Sequence, residues 1–569
     1  MNNLVKIFSI IKKINLNYKL YFTFFICLTF LVSLFEILGL SLILPLLNLL
    51  LIGTESKVYE ILINNQFINL TSHTIEALTQ LILIMIIFIY AIKFITYLIW
   101  IIFINKFSAK MQNNIASKLI SGYIHEDYSN FTKRNKGDFI RNLNSEVSHT
   151  VNLMLMNLNF FNEMILIIFI LGLFLFLKPV LMIYIFSFLI ILFLFHTKLT
   201  KKSLQNLGSN RAFYQSEMLN KLNQIFSAVK EIKLSKLENK YINDFTYNFL
   251  KFNQKILRIS FLNSLPRPTI EIIFVIFFCI LIFVFSFNSS NELFISYLPD
   301  LAVLALGIIK ILPSISRSLI LKQNITANSK ALNTVFADLH KNVKPIEQTN
   351  TIKENIIFEK GIKLKNVFYR YNQAEDFILN DTNLRIIKNE CTGIYGKSGS
   401  GKTTLIDVIS GLLTVEKGEI LIDDTYLNES NLYSWQKKIS YVSQNFYIFN
   451  DTIKNNIIFF DQKNFNQEKF DKAVKISQLK EEGESFFDQI VGESGSLLSG
   501  GQNQRIAIAR SIYQDKEIII FDEPSSMLDD ETKKLFLKEL ENLKKNKTII
   551  IISHDKETLE ICDKKFEII

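Results

Sequence analysis

Six long apolar stretches occupy the first 320 positions, at roughly 20–52, 76–104, 151–177, 180–196, 261–287 and 293–320. A helix needs about 20 apolar residues, at 1.5 Å rise, to cross a hydrocarbon layer of about 30 Å; five of these stretches exceed that demand and the fourth, at 180–196, reaches the lower end of the range of about 17–25. Ahead of them, Leu4, Ile7, Phe8, Ile11 and Ile14 share one helical face while Lys6, Lys12 and Lys13 lie elsewhere. That is the pattern of a helix lying in a membrane interface. The first long stretch exceeds a signal-peptide core and has no clear small-residue cleavage site after it, which predicts a retained span. Lys178-Pro179 marks a tight turn between the third and fourth spans, and Val58, Ile61, Leu62 and Ile68 suggest a short surface helix in loop 53–74. Segments 105–150 and 198–260 keep a helical period with few turn residues, so they are expected to prolong the spanning helices beyond the membrane rather than form separate small domains. From about position 357 short apolar runs, such as 548–553, alternate with helical stretches, as in an α/β domain. The expected division is an interfacial helix (1–17), an all-α transmembrane domain of six spans (18–321), a polar linker (322–356) and an α/β domain (357–569).

Charge orients this plan. Segment 105–150 carries Lys106, Lys110, Lys118, Lys133, Arg134, Lys136 and Arg141, and 198–260 is equally basic, whereas loop 53–74 has only Lys57 and loop 288–292 has none. Positive residues stay on the cytoplasmic side, which places the N-terminus, both long inner loops and the C-terminal domain in the cytoplasm. The formal net charge of +10 follows from such loops facing anionic lipid, and nucleic acid is not an expected partner. Cys27, Cys279, Cys391 and Cys562 are too scattered to suggest a disulfide framework or a metal cluster.

The chemistry concentrates at 396–403, GKSGSGKT, which satisfies G-x-x-x-x-G-K-[ST] between an apolar run ending in Tyr395 and a helical run from Thr404. Gly396, Gly399 and Gly401 let the loop wrap so that backbone N–H groups, with those of Lys397, Ser398, Ser400 and Thr404, converge on an anion at a helix start. Lys402 would neutralise the β- and γ-phosphates, and the Thr403 hydroxyl would ligate Mg²⁺. This predicts a site for ATP with Mg²⁺. A second run, IIIFDE at 518–523, is an apolar strand ending in two acids, Asp522 for the metal and Glu523 to activate water.

Residues 498–502 read LSGGQ, followed by Arg505 and IAIAR, and here the chain resembles the ATP-binding cassette (ABC) family. The resemblance implies that Tyr371 stacks on adenine, that Gln444 meets Mg²⁺, and that His554 is the switch histidine at the γ-phosphate. It also implies a head-to-tail dimer in which Ser499, Gly500, Gly501 and Gln502 close on the nucleotide held by the other subunit. Segment 491–498 looks like the loop typical of exporters, with Glu493 facing the membrane domain. Pro524 and Met527 depart from the residues the family often has there, whereas Glu523 and Asp529 are retained.

Four cations fall in or beside the spans: Lys93, Arg267, Lys310 and Arg317. Each would cost about 2.5–3.5 kcal/mol at a helix centre, so they should face a cavity or a partner. One reading is an anion site for a pyrophosphate headgroup; the other is pairing with Glu36, Glu163 and Glu271. The stretches LPRPTIE (265–271) and LALGIIKILPSISR (304–317) resemble those of bacterial lipid-linked oligosaccharide flippases. The expectation is therefore a homodimeric half-transporter in the cytoplasmic membrane that flips an amphipathic anion, most simply a lipid-linked oligosaccharide, with export of lipid A-like lipids or drugs as the alternative. A peptide exporter would carry a processing domain before the first span, a soluble chromosome ATPase would lack the spans, and a channel or regulator would tolerate loss of Glu523.

Overall fold

The computed structural model describes residues 3–13, 18–51, 75–134, 136–177, 179–288, 311–340, 354–371 and 376–568. The surface helix expected in loop 53–74, Lys178 of the expected turn, Lys310 and most of the last span lie outside these residues. The chain divides into two compact units, Met1–Glu126 with Arg134–Val343, and Asp127–Lys133 with Lys344–Ile569.

The first unit is helical. Ile75–Ile124 runs for 50 residues and Pro179–Ser227 for 49, lengths of about 75 Å against about 30 Å of hydrocarbon. The inner loops are thus extensions of spanning helices, as their period implied. Among the described residues, Ile75–Ile124, Gly137–Gly172 and Glu238–Ile276 are long and apolar enough to cross a membrane, and Thr23–Gly39 is a shorter apolar helix. The leading helix, Asn3–Lys13, buries Ile7 and Ile10 and leaves Phe8 exposed. Ser9 bonds His340 at 2.8 Å, and Lys6 and Lys13 reach Asn333 and the Leu339 carbonyl, so this helix is pinned to helix Ser329–His340.

The segment read as a linker from 322 begins differently. Residues 311–327 form one helix, and Ser329–His340 follows after a turn. Polar composition suggested a tether, but Gln323, Ile325, Ala331, Leu332 and Val335 are buried in the bundle. Helix 311–327 meets Pro179–Ser227 at Gly208, where a Cβ would lie 2.1 Å from the Ala327 carbonyl oxygen. Only glycine permits that approach. One turn further along, Arg211 donates to Asn328 at 3.0 Å.

The second unit holds two sheets. Strands β1 (Gly361–Tyr369), β2 (Leu379–Ile387), β4 (Lys417–Ile422) and β5 (Thr425–Tyr426) form an antiparallel sheet in the order β2-β1-β4-β5. Strands β3 (Cys391–Gly396), β6 (Ile439–Val442), β7 (Ile518–Asp522), β8 (Thr548–Ile552) and β9 (Lys564–Ile568) form a parallel sheet in the order β6-β7-β8-β3-β9. Every residue of β7 and β8 is buried. Their unbroken isoleucine runs suit strands covered on both faces, which have no polar side to show. The carboxyl ends of β3 and β7 open onto the loops that carry GKSGSGKT and Glu523.

Candidate functional site

The phosphate loop leaves β3 and ends at helix Lys402–Ile409, whose first turn supplies unpaired N–H groups. Gly401 caps that helix at φ 94°, and a Cβ there would sit 2.7 Å from Ile378. Both the turn and the space therefore require glycine. Lys402 Nζ donates to the carbonyls of Gly396 and Lys397, each at 2.9 Å, folding the side chain back over the loop it will share with phosphate. Ser400 Oγ is buried with no hydrogen-bond partner. A buried hydroxyl left unmatched costs free energy, and a phosphate oxygen in the loop would satisfy it. At the loop's edge Tyr371 is exposed, and its hydroxyl lies 3.3 Å from Thr404 Oγ1.

Asp522 ends β7 facing Lys402. Burial pushes its carboxyl up, while the Tyr441 hydroxyl at 3.2 Å, Lys402 and the Gln444 backbone N–H hold it down. Asp407, buried one layer beneath in helix Lys402–Ile409, is pushed up to about 6 by burial and by Asp522. Thr403, Gln444 and Asp522 offer hard oxygen donors, the set that suits Mg²⁺. Glu523 follows with φ 53°, outside the usual range for a residue with a side chain, held by its N–H bond to the Ile552 carbonyl at 2.9 Å. Burial raises its pKa; its Oε1 is buried without a hydrogen-bond partner and lies 3.9 Å from His554 Nε2. Backbone strain at a carboxylate whose oxygen lacks a donor is what a poised base requires.

Ser499 and Gln502 form a reciprocal cap on helix Gly500–Tyr513: Ser499 Oγ accepts from Gln502 N at 3.1 Å, and Gln502 Oε1 accepts from Ser499 N at 2.9 Å. Their hydrogen bonds stay at this helix start and at Glu482. Among the described residues none joins them to the phosphate loop. Met527 lies against Gly500 and Gly501, and Asp529 caps helix Asp530–Leu543.

Gln504 was not singled out from sequence. It is buried, and its amide nitrogen donates to the Glu523 carbonyl at 3.0 Å and to Ser526 Oγ at 3.3 Å. Its amide oxygen accepts from Met527 N at 3.0 Å, so one side chain ties the loop after the catalytic acid to the signature helix. The available signal was periodicity: Gln504 shares the buried face of Ile508 and Ser511, and a polar group there must find partners.

Of the four cations marked out in the spans, the three that the structure describes are paired. Arg317 donates to Glu163 at 2.7 and 3.3 Å, Lys93 contacts Glu36, and Arg267 meets Glu271 at 2.9 Å. Lys93 and Arg317 line one cavity of about 570 Å³, together with Tyr97, Trp100, Asn159 and Asn162. Arg267 does not line it, and its side chain is 77% exposed. Pairing is the physical answer to charge in a medium that solvates it poorly.

A model of the ABC transporter transmembrane region matches residues 22–296, and an ABC transporter model matches 379–526. The chain belongs to the ABC transporters. Its fold is that of a solved bacterial Atm1-family ABC exporter with ATP bound, at TM-score 0.78 over 98% of this chain and 94% of that one, with 16% identity. An ATP-dependent lipid A-core flippase of Pectobacterium atrosepticum is 28% identical over 370 residues, 64% of this chain and 62% of the relative. The flippase of the same name from Escherichia coli K12 is 36% identical over 205 residues, 36% of this chain and 35% of the relative. These matches span less than two thirds of either relative. The transporter is thus a multi-pass membrane protein with a C-terminal ATP-binding cassette.

Proposed function

We infer that the transporter is an ATP-driven exporter or flippase of an amphipathic anionic lipid, acting as a homodimer in the cytoplasmic membrane with its cassette in the cytoplasm. The observation that carries the catalytic half is the strained, half-buried Glu523, whose Oε1 is shielded from solvent beside His554, at the edge of a phosphate loop whose Lys402 and Ser400 are set for an anion. Mg²⁺ held by Thr403, Gln444 and Asp522 would neutralise charge developing on the phosphates. Lys402 and the loop N–H groups hold the triphosphate, Glu523 accepts the proton of the attacking water, and His554 orients toward the γ-phosphate. Ser499 and the helix start behind it act on a second subunit's nucleotide, because their bonds leave them unattached to their own loop.

The relatives named lipid A-core flippases favour a lipid A-like substrate over the lipid-linked oligosaccharide suggested by 265–271 and 304–317. Both carry phosphate on an amphipathic sugar-bearing lipid. Lys93, Arg267, Lys310 and Arg317 stay as candidates for the headgroup contact, with Lys93 and Arg317 the pair that shares a cavity. ATP hydrolysis in neutral-lipid nanodiscs, titrated with lipid A in one arm and a polyprenyl-pyrophosphate oligosaccharide in the other, separates the readings. Stimulation by lipid A at lower mole fraction is expected. Stimulation by the oligosaccharide alone reverses the order, and by neither removes the anionic-lipid reading.

A further inference from the structure

A second cavity, of about 640 Å³, opens between helix Pro179–Ser227 and the helix at 311–327. It is lined by Lys198, Lys201 and Lys322, by Thr197, Thr200, Thr326, Ser329 and Gln205, and by Gln323, with Leu194, Leu204 and Ile325. No carboxylate is among its lining residues, which sets it apart from the cavity of Lys93 and Arg317, where each cation has an acid. The contact at Gly208 and Ala327 clamps the two helices at one end of it.

Gln323 is only 2% exposed, and neither its amide oxygen nor its amide nitrogen has a hydrogen-bond partner. A buried amide with both atoms unmatched is costly, and the cavity it lines gives a partner access to it. The four hydroxyls around it are already committed as donors: Thr197 to Leu194 O, Thr200 to His196 O, Thr326 to Lys322 O and Ser329 to Thr326 O. The donors left for a ligand are therefore three ammonium groups and two carboxamides, those of Gln205 and Gln323. That set fits an anion with several oxygens plus a hydroxyl-bearing neighbour.

Position supplies the rest. Lys198 follows directly on the apolar run that ends near position 196, so the lysines stand at the inner interface while Leu194 points the cavity back to hydrocarbon. A phosphate at the lysines would leave its acyl chains beside Leu194, in the bilayer. We propose that this cavity binds the phosphorylated sugar headgroup of a glycolipid in the inner leaflet. The inference rests on the anionic-lipid reading above and gives that substrate a docking place outside the cavity of Lys93 and Arg317.

The test is binding, not turnover. The full-length protein, in nanodiscs of phosphatidylcholine, is titrated with bis-phosphorylated lipid A, with its dephosphorylated form, and with free pyrophosphate, and bound lipid per chain is counted by native mass spectrometry. Lys198→Gln combined with Lys201→Gln, and separately the near-isosteric Gln323→Met, should each weaken lipid A binding about tenfold. Lys202→Gln, a neighbouring lysine outside the lining, should bind as wild type, and the dephosphorylated lipid should bind weakly throughout. Thermal unfolding without added lipid, unchanged in Gln323→Met, separates lost contact from lost packing. Wild-type affinity in both cavity variants would overturn the site and leave the lipid A reading standing. No binding of lipid A by the wild type would overturn that reading instead. Lysine-dependent binding of pyrophosphate but not lipid A would make the cavity a soluble-anion site, which also contradicts the proposal.

Discussion

The cassette and the membrane unit each offer an anion a place, by opposite means. In the cassette, eight consecutive residues wrap a loop whose N–H groups are fixed by backbone geometry, and a single lysine is clamped at 2.9 Å by Gly396 and Lys397 carbonyls. In the membrane unit, three exposed lysines and one buried glutamine come from two helices more than a hundred residues apart. A backbone cradle is stiff and selects one geometry, which suits a chemical step. Long side chains adapt, which suits headgroups that differ in their sugars.

If that contrast is right, substitutions should divide accordingly. The largest effect is expected at Glu523, where Glu523→Gln should retain ATP and slow hydrolysis by about 10²–10⁴-fold in a single-turnover assay. Lys402→Arg should follow, with about a hundredfold loss of ATPase activity, because the planar guanidinium cannot replace an ammonium held between two carbonyls. Lys201→Arg in the membrane cavity should change lipid A affinity by no more than about twofold, since only charge and reach are required there. Equal losses at Lys402 and Lys201 would erase the distinction. An effect between those two is expected at Gln504: Gln504→Leu frees the loop after Glu523 and should lower kcat by about tenfold with KM for ATP little changed.

The smallest effect concerns stability. Asp407 has an ordinary pKa of 3.8 and a folded one of about 6, so the folded cassette binds its proton more tightly. Its contribution is therefore complete below pH 4 and is lost as pH rises through 6. Asp407→Asn should leave Tm unchanged near pH 4 and raise it at pH 7.5, as read by calorimetry of the nucleotide-free protein. A variant less stable than wild type at pH 7.5 would contradict the burial account.

What the sequence disclosed follows the same division. GKSGSGKT, IIIFDE and LSGGQ could be read because each is a local string whose function is local, and the isoleucine runs of β7 and β8 could only be buried strands. Lys93, Arg267 and Arg317 stood out as charges in apolar stretches, but which acid each meets depends on helix packing, and Glu163 reaches Arg317 across 154 positions. Gln323 was hidden for a further reason. A polar residue facing a cavity looks, in one dimension, like the start of a linker, and Gln323 opens the polar stretch 322–356 that reads as one. Lys198 and Lys201 belong, in the sequence, to the basic segment that fixes topology, a role that says nothing of what they face. Gln504 lay two residues past a signature whose own letters drew the attention.

The central claim is that hydrolysis at Glu523 drives movement of an anionic lipid. Its most direct measurement uses proteoliposomes with outward-facing cassettes and fluorescent lipid A initially in the outer leaflet, its loss followed by a membrane-impermeant quencher. Wild type with ATP and Mg²⁺ should move the lipid inward, and Glu523→Gln, at equal reconstitution, should move none above the protein-free rate. Equal movement by both, or by wild type without ATP, would contradict the account.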